Sequence, residues 1–402
     1  MTHMISHLSK LRVKRRELII FGLAVFFIGI GANIFDSTFN NFLDDRYFIT
    51  PFQRSFLEFP RELPGFLVVF ISATLAFLCS RRLGAVTMLL SVAGVLLISF
   101  VAPTYAWMAI WMFVYSLGQH LFFPLSSTIG MELASEGHTG KRLGQLNAVT
   151  NFAKIVGGLL VVLGFRYLNF RFEHTFILTA FVFSIASLLL FSMKRGKSQP
   201  AKNYLKLHKE YNLYYALITI SGARKQLFIT FAPWVLVTVF NQPTQIIASL
   251  LLIGGLIGIL FQPILGQAID RFGERIVLTS EAFILILICF GYAFSKSIFP
   301  ENIAFLIVCG CYIIDQMIFS VGMARATYLK KIAREPHHVQ PTLTAGVTID
   351  HIFSISAALL GGLIWNSFGF QYVFMFGAGL AMINIFVARQ VKIPNVEIVT
   401  AM

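Results

Sequence analysis

Apolar residues in this chain gather into long runs, and polar residues are confined largely to the short stretches between them. A bilayer core takes about 20 apolar residues per helix. Walking the chain at that length predicts twelve spans, at 17–38, 56–79, 84–102, 105–131, 142–165, 173–194, 226–242, 244–269, 275–296, 302–325, 341–366 and 370–391. The seventh is short and runs into the eighth at Asn241-Gln242-Pro243. Residues 195–225 are the one long polar interruption, so the pattern predicts an N-terminal six-helix half (1–194), a basic linker (195–225) and a C-terminal six-helix half (226–402). The expected fold is an all-α integral membrane protein. Within the linker, Tyr211 to Ile220 is aromatic and apolar after Lys202, Lys206 and Lys209. It reads either as an interfacial helix on anionic lipid or as the entry to the seventh span.

Charge placement orients the spans. Of the 32 Lys and Arg, 25 fall on the side that holds the N-terminus, and Arg46, Arg54, Arg166, Arg171 and Lys296 fall on the other. That asymmetry places both termini in the cytoplasm. It also accounts for the formal net charge of +14 without a nucleic-acid partner. Composition agrees, with 57% hydrophobic and 12% charged residues against about a quarter charged in soluble domains. Cys79, Cys289, Cys309 and Cys311 lie in or beside apolar runs, which suits membrane packing better than disulfides. The basic stretch before the first run has the look of a signal peptide but no small-residue cleavage site follows, so it reads as a retained first helix.

One polar segment carries more information than the others. Gly266 to Arg275 reads Gly-Gln-Ala-Ile-Asp-Arg-Phe-Gly-Glu-Arg between two long apolar runs. Gly266 and Gly273 permit close helix approach and a tight turn, while Asp270, Arg271, Glu274 and Arg275 hold that turn at the membrane surface. The halves also echo each other: Ala153-Lys-Ile-Val-Gly-Gly158 with Gly164-Phe165 recurs as Ala357-Ala-Leu-Leu-Gly-Gly362 with Gly369-Phe370. Together these features resemble the major facilitator superfamily of transporters across essentially the whole chain.

The resemblance implies two pseudo-symmetric halves, with solute bound near the midplane and alternating access. It implies a monomeric, multi-pass secondary transporter of the bacterial inner membrane, with a small-molecule substrate, protons or another coupling ion and membrane lipids as partners, and no cofactor. No Walker loop, dinucleotide fingerprint or nucleophile elbow is present, so an ATP-driven pump or an enzyme is not expected. The departures are informative. In the first-half loop, Arg81 stands at the family's Asp position and Phe77 at its first Gly position, so the resemblance leaves a latch of the family's type only in the second half, with Gly266, Asp270, Arg271, Gly273 and Arg275 as the gate motif. Val114 stands where proton-linked antiporters often have Arg, and Lys154 stands at the Pro position of their fifth-span pattern.

Charge inside a span costs roughly 2.5–3.5 kcal/mol on insertion scales, so such residues are candidates for function. Lys154, mid-way along the fifth span without a carboxylate one turn away, needs a partner from another helix or an anionic solute. Asp315 in the tenth span is either that partner or a carboxyl that carries a proton. Glu58, Arg61 and Glu62 share a face of the second span at spacings that permit local neutralisation. Asp350 and His351, adjacent in the eleventh span, diverge, so one is expected to face the cavity and the other to pack. Gln119 and His120 on the fourth span, Asn33 and Asp36 on the first, and Trp234, Asn241 and Gln242 on the seventh complete the cavity candidates. His337-His338 lacks a Cys or carboxylate at ligand spacing, and no metal is expected. The leading reading is a transporter of an anionic or zwitterionic organic solute, coupled to protons. The alternatives are a proton-driven exporter of lipophilic compounds, suggested by 42 phenylalanines, and a membrane sensor or scaffold that has kept the fold.

Overall fold

Thirteen α-helices make up nearly all of the computed structural model, which describes residues 2–74, 78–134, 139–196 and 207–392. In chain order they are α1 (Thr2–Tyr47), α2 (Pro51–Phe56), α3 (Glu58–Thr74), α4 (Ser80–Phe100), α5 (Tyr105–Glu132), α6 (Thr139–Tyr167), α7 (Phe172–Ser192), α8 (Asn212–Thr238), α9 (Thr244–Ile298), α10 (Glu301–Ile318), α11 (Gly322–Ile332), α12 (Pro336–Phe368) and α13 (Phe370–Arg389). Short 3-10 turns at Lys209–Tyr211 and Phe319–Val321 precede α8 and α11. Among the described residues, nine helical stretches are long and apolar enough to cross a membrane. A chain that threads hydrocarbon must satisfy its backbone hydrogen bonds within each segment, so apolar runs of this length fold as helices.

At 55 residues, α9 covers two of the predicted spans, and it breaks at Gly273 with φ 81° and ψ 161°. That region of backbone space is essentially reserved for glycine, at a cost of about 1–3 kcal/mol for other residues. A Cβ at Gly273 would meet nothing within 4 Å, so the barrier to substitution there is conformational rather than steric. Gly273→Ala is expected to lower stability by about 1–3 kcal/mol. Thermal unfolding of the purified protein reads this out, and an unchanged midpoint would show that the break does not depend on glycine.

The seventh predicted span differs most from the structure. Its helix, α8, starts at Asn212 and not at 226, and it carries Arg224 and Lys225 in its interior. Two adjacent cations interrupt the apolar pattern, and the helix continues because each finds a carboxylate. Tyr211 to Ile220, read either as an interfacial helix or as the entry to the seventh span, runs into α8, with Tyr211, Tyr214 and Leu217 buried in protein. Residues 197–206 of the expected linker, including Lys202 and Lys206, lie outside the described residues. At its other end α8 stops at Thr238; Asn241, with a positive φ of 51°, and Gln242 belong to the connection into α9 rather than to the seventh helix.

Contacts gather the chain into two units. One comprises residues 1–49, 59–203 and 241–256, and the other residues 50–58, 204–240 and 257–402. In the first, α1 packs on α6 and α7, and α4 on α5 and α7. In the second, α8 packs on α12 and α13, and α12 also packs on α2.

The internal repeat explains why short segments, 241–256 and 50–58, join units dominated by the opposite half of the sequence. A Cβ on Gly157 would lie 2.8 Å from the carbonyl oxygen of Ile30, and one on Gly158 3.3 Å from that of Ala248. In the second unit, a Cβ on Gly361 would lie 2.9 Å from Leu227 Cδ2, and one on Gly362 2.6 Å from Ser55 Cβ. Each Gly-Gly pair therefore seats two neighbours side by side: α1 and residues 248–252 on α6, and α8 and α2 on α12. Missing side chains let helices approach closely in a membrane, where dispersion and not hydrophobicity drives packing.

Candidate functional site

Arg224, Lys225 and Gln226 follow one another in the middle of α8. Successive helical residues point about 100° apart, which follows from 3.6 residues per turn, so the three side chains reach three different neighbours. Arg224, only 3% exposed, donates from Nη1 to Asp315 Oδ1 on α10 at 2.7 Å and from Nη2 to Glu281 Oε1 on α9 at 3.4 Å. Arg325 on α11 donates to the other oxygen of Glu281 at 2.8 Å. Phe228 and Phe319 flank the Arg224 guanidinium with ring centroids at 5.8 and 5.6 Å, a range that favours cation–π attraction. Lys225 pairs with Asp350 on α12, and these side chains are 25% and 21% exposed. Gln226, fully buried, donates to Glu58 Oε2 at 2.7 Å, while Arg54 of α2 donates to Glu58 Oε1 at 2.6 Å.

Four cations (Arg54, Arg224, Lys225, Arg325) thus meet four carboxylates (Glu58, Glu281, Asp315, Asp350) within one unit. Neutrality is what makes burial of such groups tolerable. The chain Asp315–Arg224–Glu281–Arg325 alternates in sign, so a change of charge at one end alters the balance at every later link.

The structure assigns partners that differ from those the sequence suggested. Asp315 pairs with Arg224, a cation that α8 places in its own unit, and not with Lys154. Lys154 is exposed on α6 and makes no ion pair among the described residues. Glu58 is held by Arg54, one turn earlier, and by Gln226. Arg61 lies 3.5 Å from Asp36, and its carbonyl accepts a hydrogen bond from Ser116 Oγ; Glu62 is buried on α3. His120 Nδ1 is 2.9 Å from Ser116 Oγ, which fixes the ring. Gln119 donates to Ser91 at 2.9 Å, and Asn33 accepts from Ser37 at 3.4 Å. Asp350 and His351 diverge as expected for helix neighbours: Asp350 meets Lys225, and His351 is half-buried. Trp234 is 1% exposed, a core residue rather than an interface anchor.

The loop at 266–275 carries its buried charge at an unexpected position. Asp270, Arg271 and Arg275 are exposed, whereas Glu274 is fully buried and lies 2.7 Å from Lys331 on α11. Arg81, at the first-half position that corresponds to Asp270, is buried: it donates to Glu17 at 3.0 Å and to the carbonyl of Lys194 at 2.6 Å, and lies 3.6 Å from Glu132. The first loop therefore has a clamp of reversed sign, a cation held by acids from α1 and α5.

Sequence reasoning missed Arg224, Lys225, Glu281 and Arg325. Glu281 stood inside a predicted span, so the cost of an intramembrane charge was already the signal for it. Arg224, Lys225 and Arg325 were hidden by their counting as basic loop residues.

Residues 21–346 match the model of the Major Facilitator Superfamily, and the chain belongs to that family. The fold is shared with the crystal structure of the nucleoside transporter NupG at 12% identity, a TM-score of 0.73 and coverage of 92% of this chain and 98% of that one. It is likewise shared with the D-xylose-proton symporter at 15% identity, a TM-score of 0.71 and coverage of 94% and 97%. No curated protein matches the sequence.

Proposed function

We propose that the protein is a proton-coupled secondary transporter that carries a small anionic or zwitterionic organic solute across the bacterial inner membrane by alternating access. In this reading the chain folds as two six-helix halves, the second beginning with α8 at Asn212, crosses the membrane twelve times and has both termini in the cytoplasm. The helix break at Gly273 supports the count by dividing α9 into two segments. The observation that carries the reading is the Asp315–Arg224–Glu281–Arg325 chain. A proton on Asp315, or a solute anion competing for Arg224, removes one link and redistributes the rest. The likeness to a D-xylose-proton symporter supports the choice of proton as coupling ion. Lys154, exposed on α6 without an ion pair among the described residues, is assigned to the anionic group of the solute.

The test is reconstitution. Solutes that raise the unfolding temperature of purified protein are followed into proteoliposomes with and without an imposed pH gradient. Accumulation should require the gradient, and Lys154→Ala should weaken binding of an anionic solute by tenfold or more, about 1.4 kcal/mol. Lipophilic cations transported equally by the parent and Lys154→Ala would favour an exporter and sink the anionic assignment. Binding without flux would point to a sensor.

A further inference from the structure

The turn before α8 and the start of α12 bring together three potential metal ligands that are far apart in sequence. The ligand atoms of His208, Glu210 and His338 all lie within 4.8 Å of one another. His208 Nδ1 is 3.9 Å from Glu210 Oε1, and the two imidazole rings lie 4.1 Å apart between centroids. The scaffold beneath them is tied down on both sides. Tyr211 is buried, its hydroxyl lies 3.0 Å from His338 Nδ1 and it accepts the backbone N–H of Arg334 at 3.2 Å. The backbone N–H of His208 donates to the Tyr215 hydroxyl at 3.4 Å. Tyr211 and His338 are 127 residues apart.

We propose that His208, Glu210 and His338 bind a divalent transition-metal ion of the zinc class, separately from the buried charge network of α8. Two imidazoles and one carboxylate are a donor set that zinc accepts in sites with three protein ligands, with water in the fourth position. Nitrogen donors select against magnesium and calcium, which take oxygen. Bonds of 2.0–2.1 Å to zinc imply a tetrahedral edge of about 3.3 Å, so the His208–Glu210 pair needs only a small closure. The Tyr211 hydroxyl occupies the place of the outer-shell partner that orients a ligating histidine. A bound ion would pin the turn before α8 to the first turn of α12, the helix that receives Lys225 through Asp350. The carboxylate in the cluster is Glu210, which the fold brings to His338 from 128 positions earlier in the chain.

Calorimetric titration of Zn2+ into chelator-treated, untagged full-length protein tests the site. One equivalent is expected to bind, with affinity reduced at least tenfold in His208→Ala, Glu210→Gln and His338→Ala, and unchanged in His174→Ala. Tyr211→Phe should reduce it by about 10–100-fold through loss of the orienting group. Glu210 is 31% exposed on its side chain, so Glu210→Gln keeps the test intact if a histidine variant fails to fold. Absence of zinc binding to the parent protein, or equal affinity in the parent and all three ligand variants, would overturn the proposal.

Discussion

Asp315→Ala is expected to abolish gradient-driven uptake and to lower the unfolding midpoint sharply, because it leaves the buried Arg224 guanidinium without its nearest carboxylate. Breaking a buried ion pair from one side costs about 3–5 kcal/mol. Glu281, 3.4 Å from Arg224, retains part of the interaction, which puts the loss toward the lower end of that range. The companion double variant, Arg224→Met with Asp315→Leu, should recover most of the stability, since buried pairs replaced together by apolar residues are often neutral. It also leaves Glu281 and Arg325 as a closed neutral pair. Transport should not recover with it. Unfolding monitored in detergent, beside uptake into proteoliposomes, separates the two effects. Uptake by the double variant would remove this network from the transport cycle.

Arg81→Ala is expected to produce the second large effect. Glu17 is buried, and its carboxylate is held by Arg81 and by the backbone N–H of Lys194 at 3.0 Å. Loss of the cation should cost about 3 kcal/mol, the lower bound for a buried pair, because the Arg81 side chain keeps slight solvent access. Arg81→Lys should restore only part of this, as a point charge on a flexible stem does not reproduce the guanidinium fork that serves Glu17, Glu132 and the Lys194 carbonyl together. Asp270→Asn, at an exposed position, should change stability by no more than about 0.5 kcal/mol. Thermal unfolding of the three variants compares the loops directly. Equal losses at Arg81 and Asp270 would mean that burial does not rank them.

Much of the fold was legible along the chain because hydrocarbon permits few alternatives to a long apolar helix. The predicted runs at 105–131 and 370–391 lie almost on α5 and α13. The reading failed at α8, where Arg224 and Lys225 look like loop residues until their partners, Asp315 and Asp350, are placed beside them. Asp315, Asp350 and Glu58 stood out as costs inside a span, a signal that Glu281 carries equally although it was missed. Their partners were not visible, because pairing across helices depends on how the bundle closes. Arg81 shows the same limit: as a departure from a motif it looked like a lost latch, and only its position among Glu17, Glu132 and Lys194 reveals a clamp.

The exchange of segments between the two units has a consequence for biogenesis. Residues 50–58 leave the ribosome early, yet they pack on α12, which is made near the end of synthesis. Residues 241–256 emerge after α6, whose Gly158 they cover. The first unit cannot close when residues 1–203 are finished, because 241–256 are still to be made, whereas residues 50–58 must wait for α12 before they find their own partner. Domain-by-domain folding, the usual course for a chain of this size, would leave the Gly158 side of α6 uncovered until residues 248–252 emerge, and residues 50–58 without their seat on Gly362 until α12 is made.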